Sequence, residues 1–247
     1  MRNIWTIAKR EYDQYFIGPI AYVAAVLILF VLGVFFAIDL LQFQQYAFQD
    51  LSGFLNTERE INLLPFFFIF LIPALTMRLV ADENRTGTME LLLTAPLRDW
   101  ELILGKWTGG FLFVLTIILA TLIYPIILNS MVDPGIDWRL LASMYLGVIL
   151  VAAAFLGLGV GISAVFSNQI AAFIVTFLTF VFLYWVVGFP ANLPITGGGV
   201  FGYLSMSNHF SDFTQGAINL GALVYFTSLT ILGLFIGTLS IEVRRWR

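Results

Sequence analysis

Apolar runs of close to 20 residues recur through most of this 247-residue chain, and they limit what it can fold into. A helix needs roughly 20 such residues to cross the hydrocarbon of a bilayer, where it satisfies its own backbone hydrogen bonds. Six runs qualify, at residues 20–40, 63–80, 108–129, 140–166, 170–189 and 218–239. Pro65 and Pro73 fall in the second run and Pro125 in the third, where lipid-embedded helices tolerate a kink. With 60 % hydrophobic and 11 % charged residues and a mean hydropathy of +0.94, little is left for a soluble portion. The expectation is an all-α integral membrane protein of six transmembrane helices, forming one transmembrane domain over residues 1–247.

The basic residues orient it. Ten of the twelve fall on one side: Arg2, Lys9, Arg10, Arg78, Arg85, Arg98, Lys106, Arg244, Arg245 and Arg247. Only Arg59 and Arg139 fall on the other. By the positive-inside rule both termini and the polar loop 81–107 are cytoplasmic, in the inner membrane of the cell. The absence of cysteine leaves the redox compartment undetermined.

Loop 81–107 is the one long polar interruption that mixes both charge signs with an amphipathic pattern. Thr86-Gly87-Thr88 bends the chain, and Thr88 suits the N-cap of a short helix with Glu90 in its first turn. Met89, Leu92 and Leu93 then form an apolar stripe, and Pro96 ends the helix. Asp99 can cap a second helix, with Glu101 near its start, that runs through Leu102, Ile103 and Leu104 into the third span. Such a segment either returns the chain along the membrane surface or docks a protein. A helix made only for anionic lipid would be rich in lysine and arginine. The mixture of Asp82, Glu83, Arg85, Glu90, Arg98, Asp99 and Glu101 fits a protein partner better.

Residues 1–18 read as an amphipathic helix at the interface, with Ile4, Ala8, Tyr12 and Tyr15 on one face, before Gly18-Pro19 turns the chain into the first span. On the outward side, loop 41–62 is acidic, Asp133-Pro134-Gly135 is a tight turn, and loop 190–217 is long and mixed. His209 is the only histidine, so a structural role outweighs metal binding, and no metal site is expected. In the fourth span Ala153, Gly157, Gly161 and Ala164 make a small-residue ridge that permits close helix approach, within one subunit as the default. Ser167-Asn168-Gln169 is an uncharged turn.

Ionisable groups are absent from the depths of the six runs, which argues against proton-coupled transport and against intramembrane proteolysis by a carboxylate pair. The chain has no G-x-x-x-x-G-K-[ST] phosphate loop, since Gly105-Lys106 lacks the upstream glycine. No catalytic or cofactor-binding residue is expected. Any use of ATP requires a separate subunit.

The stretch Asp82-Glu83-Asn84-Arg85-Thr86-Gly87-Thr88-Met89-Glu90-Leu91-Leu92-Leu93-Thr94-Ala95-Pro96 resembles a pattern of the permease subunits of ABC-2 type exporters. The continuation Trp100-Glu101-Leu102-Ile103-Leu104-Gly105-Lys106 is similar to that family too. So are the opening Arg10-Glu11 pair of a lateral elbow helix, and His209, Phe210 and Gly216 before the last span. The resemblance implies that Asp82 to Leu93, with Pro96, form the coupling interface with a nucleotide-binding ATPase subunit, which holds the ATP and Mg. It further implies a second permease subunit, identical or similar, and places His209 and Phe210 at the outer mouth. The short outer loops look most like the gliding-motility and copper-enzyme-maturation branch. That branch raises an alternative to solute export: transmission of force to an extracytoplasmic accessory protein. A membrane enzyme or scaffold without an ATPase is the remaining reading. The lipid bilayer is a partner in all of them, and nucleic acid in none.

Overall fold

The computed structural model describes residues 2–46, 57–87, 97–131, 135–189 and 198–245, and every regular element among them is helical. Helix α1 (Arg2–Ile17) meets α2 (Pro19–Tyr46) at Gly18 with a bend of 73°. Helix α3 (Thr57–Leu79) passes through Pro65 and Pro73 without a break, and α4 (Ala81–Thr86) follows it directly. Helices α5 (Asp99–Thr121) and α6 (Ile123–Met131) are separated at Leu122. Pro125 accounts for that break, because it offers no N–H to the carbonyl of Thr121 and its ring crowds that carbonyl. Next come α7 (Trp138–Val165) and α8 (Gln169–Val181), the latter widening into a π turn at Phe182–Val186. The short helices α9 (Gly198–Leu204) and α10 (Met206–Thr214) lead to α11 (Leu220–Arg245). Five segments are long and apolar enough to cross a membrane, or six when α1 and α2 count as one bent span. The chain is an all-α membrane protein.

Helix α7 is the axis of the bundle. Of its most apolar stretch 72 % is buried, against no more than 56 % in any other span. Its small-residue ridge packs on α11 of the same chain. A Cβ on Gly157 would lie 2.8 Å from the Thr230 carbonyl oxygen, and one on Gly161 would overlap the Gly233 carbonyl. Gly233 in turn has no room for a Cβ against the Gly157 backbone. Backbone meets backbone here, the geometry that small residues permit between membrane helices. Ser240 Oγ adds a hydrogen bond of 2.9 Å to the Ala164 carbonyl. On the opposite flank Gly159 lies against Thr76 of α3, and Phe155 stacks on Phe180 of α8 at 4.1 Å between ring centroids.

Polar side chains fix where the helices start. Asp137 accepts from the N–H groups of Arg139 and Leu140 at 2.9 and 3.3 Å. Asn168 accepts from those of Ile170 and Ala171 at 2.9 and 3.4 Å. The uncharged turn between α7 and α8 therefore carries an N-cap. Asn168→Ala is expected to cost about 1 kcal/mol, which for a chain of this size lowers the thermal midpoint by roughly 2–4 °C. Scanning fluorimetry of the detergent-solubilised protein measures this, and an unchanged midpoint would show that the cap carries no stability.

Candidate functional site: a buried ion cluster at one end of the bundle

Three segments far apart in sequence converge at one end of the bundle. The first contact is α1 against α5. Gly105 and Gly109 of α5 leave a groove in which a Cβ would lie 2.7 Å from Ile7 Cβ and 2.6 Å from Glu11 Cβ. The Ala8 carbonyl oxygen would stand 2.8 Å from a Cβ on Gly109. The α1 backbone is thus pressed onto α5, burying Ile7, Ala8 and Glu11. Tyr15 continues this face and stacks on Phe113 at 4.8 Å. Rather than resting on the membrane surface alone, α1 is built into the protein, and its buried face includes an acidic residue.

The second contact fixes α4. The chain breaks at Val80 (φ −128°, ψ −44°), and both Val80 and Ala81 are fully buried. The Ala81 N–H, orphaned by the break, donates to Ser163 Oγ of α7 at 3.0 Å. This anchor turns Glu83 inward. Helix α4 then ends at Gly87 in the left-handed region (φ +74°), as is common for a helix-terminating glycine.

Lys106 of α5 joins the two. Its side chain is 0 % exposed, and Nζ donates to Glu11 Oε1 at 2.9 Å and to Glu83 Oε1 at 2.7 Å. Arg10 closes the cluster from outside, with Nη2 3.0 Å from Glu11 Oε1 and 3.6 Å from Glu83 Oε1. Among the described residues two cations face two carboxylates here, so their formal charges balance. A buried ammonium is tolerable only because it is paired in this way. Chemically the arrangement offers a tie between helices: every charged group in it is spent on another.

Among the residues singled out by sequence, Arg10, Glu11 and Glu83 are brought together here. Asp82 and Arg85 pair with each other at 3.0 Å on the exposed face of α4, an arrangement that contributes little to stability. Asn84 lies in the same helix, and Thr86 Oγ1 donates to the Asp82 carbonyl at 2.9 Å. Thr88, Met89, Glu90, Leu91, Leu92, Leu93 and Pro96, with the short helix expected there, lie outside the described residues. The second helix does start where its sequence suggests, but Asp99 is not its cap. Arg98 holds the N-cap position with extended backbone (φ −82°, ψ 142°), and Asp99 is the first helical residue. Glu101 takes over the capping, accepting from the Arg98 N–H at 3.2 Å and from Asn3 Nδ2 of α1 at 3.4 Å.

His209 and Phe210 sit at the other end. Phe210 and Phe213 of α10 pack over Gly147 of α7, where a Cβ would lie 2.7 Å from Phe213 Cβ. Ser163 is sixteen residues further along α7, about 24 Å at the helical rise. His209 Nε2 is 2.9 Å from the Tyr203 carbonyl oxygen, and its ring lies 4.3 Å from that of Tyr225. It is a packing histidine that ties α9, α10 and α11.

Sequence reading missed Lys106 as a site residue. Its signal was the single lysine lying between two glycines four apart, Gly105 and Gly109, a spacing that lets another helix approach. No curated protein matches the chain. The family model for ABC-2 family transporter proteins matches residues 5–200, which takes in most of α1, the break at Val80, the ion cluster and every helix to the start of α9. The chain therefore belongs to the ABC-2 family and is a membrane permease subunit of an ABC transporter.

Proposed function

We propose that this chain couples ATP hydrolysis by a separate nucleotide-binding subunit to the movement of a substrate across the cytoplasmic membrane. Residues 81–107 are its coupling segment, on the cytoplasmic side as the basic residues indicate. A second permease subunit, the same or similar, completes the pathway, and ATP and Mg sit on the partner ATPase. The supporting observation is the Lys106 cluster. It binds α4, the start of the coupling segment, to α1 and α5 through hydrogen-bonded ion pairs. Pulling Glu83 away from Lys106 leaves a buried charge short of a partner, so displacement of α4 carries α1 and α5 with it. The same displacement reaches α3 through Val80 and α7 through Ser163. Gly87, in the left-handed conformation that ends α4, marks the border between this held unit and the segment that meets the ATPase.

Affinity purification of the tagged chain in mild detergent tests the reading. A nucleotide-binding subunit is expected to copurify, and Leu92→Asp is expected to weaken that association on the order of 30-fold, the loss of one central apolar anchor. Recovery of the chain alone across several detergents, or undiminished recovery of the ATPase with Leu92→Asp, would overturn it.

A further inference from the structure

A cavity of about 440 Å³ opens between the end of α1, α2 and α3, beside the 73° bend at Gly18. Its volume lies within the range of small-molecule sites. Its lining includes the apolar Ala24, Leu71, Leu75 and Leu79 and the charged Glu11, Arg78 and Asp82. The wall also includes Tyr15, whose buried hydroxyl has no hydrogen-bond partner among the described residues. Such a group calls for an explanation in a native structure.

The charges do not cancel. Glu11 is taken by Lys106 and Arg10, and Asp82 by Arg85. Arg10 and Lys106 are balanced by Glu11 and Glu83. Arg78, exposed in the last turn of α3, is left as the excess positive charge at the cavity, with no ion pair among the described residues. Its place is the level at which an amphipathic helix turns into a membrane span, where head groups meet acyl chains. An arginine there matches a phosphodiester in charge and in fork geometry.

We propose that this cavity is a binding site for one anionic phospholipid. The phosphodiester sits on Arg78 and the start of an acyl chain lies against Ala24, Leu71 and Leu75. The site closes the seam between α1, α2 and α3 next to the ion cluster, and the proposal does not depend on the coupling role of residues 81–107.

Native mass spectrometry of the full-length protein in detergent tests it, with dioleoylphosphatidylglycerol, dioleoylphosphatidylcholine and inorganic phosphate as probes. One phosphatidylglycerol per chain is expected to bind with about fivefold preference over phosphatidylcholine, the contribution of a single basic residue at an anionic head group. Arg78→Gln should bring the two lipids to parity, Arg78→Lys should keep most of the preference, and Arg244→Gln should leave it unchanged. Ala74→Phe, which fills the cavity wall, should reduce binding of both lipids. Equal binding of the two lipids by the native protein, or a preference that survives Arg78→Gln, would overturn the proposal. Millimolar inorganic phosphate displacing the lipid would also overturn it, by assigning the site to a free anion.

Discussion

Lys106→Met lowers the thermal midpoint of the detergent-solubilised protein on the order of 10 °C. Methionine matches the length of the lysine stem but takes the buried ammonium away from Glu11 and Glu83, whose side chains are 6 % and 18 % exposed. Breaking a buried ion pair from one side typically costs about 3–5 kcal/mol. At roughly 2–4 °C per kcal/mol, that gives a shift of this size. Replacing the whole cluster is a different matter, since a buried ion pair and a well-packed neutral set are often close in stability. The triple variant Lys106→Met, Glu11→Gln, Glu83→Gln is therefore expected to recover most of the lost midpoint. If the triple variant is as unstable as the single one, the loss is one of shape and the electrostatic account fails.

Gly161→Leu has the second large effect, and there the cause is steric. The Cβ would occupy the place of the Gly233 carbonyl, an atom of the backbone that cannot rotate aside as a side chain can. The pair α7 and α11 must separate along the whole ridge, which also opens the Gly157–Thr230 contact. Overpacking a core costs about 1–3 kcal/mol where side chains yield, and here they cannot. The expected outcome is loss of the monodisperse peak in size-exclusion chromatography of the detergent extract. Gly199→Leu is the control, because none of the described residues lies within 4 Å of a Cβ at that position. Monodisperse Gly161→Leu at native yield would show that the two helices are not held as closely as described.

These two positions differ in how far sequence alone discloses them. The ridge of Ala153, Gly157, Gly161 and Ala164 is legible because helix periodicity sets four small residues on one face, and the structure supplies its partner within the same chain. Apolar run length likewise reveals the helical membrane architecture. The burial of Lys106 is not legible, because a lysine beside an apolar run looks the same whether its ammonium reaches water or an acid from another helix, and the Gly105 and Gly109 spacing marks only a close helix approach. Only the placement of α1 in the groove of Gly105 and Gly109 decides that. The role of Glu101 is hidden for a related reason: a cap can be supplied from inside the helix as readily as from before it. Leu122 is an intermediate case, since Pro125 three residues ahead signals a kink while Pro65 and Pro73 leave α3 unbroken.

The seat of α1 on α5 also sets an order of events during synthesis. Glu11 and Lys106 are 95 residues apart, so the acid has emerged long before the base that neutralises it. At about 5–20 residues per second, the N-terminal helix waits roughly 5–20 s for its groove to be made. Its amphipathic sequence gives it somewhere to wait, on the bilayer surface, with Glu11 still hydrated. The ribosome thus delivers the last member of the cluster as the third span enters the membrane. A chain stalled before residue 106 would lack the lysine that neutralises Glu11, and its first helix would have no partner for that acid.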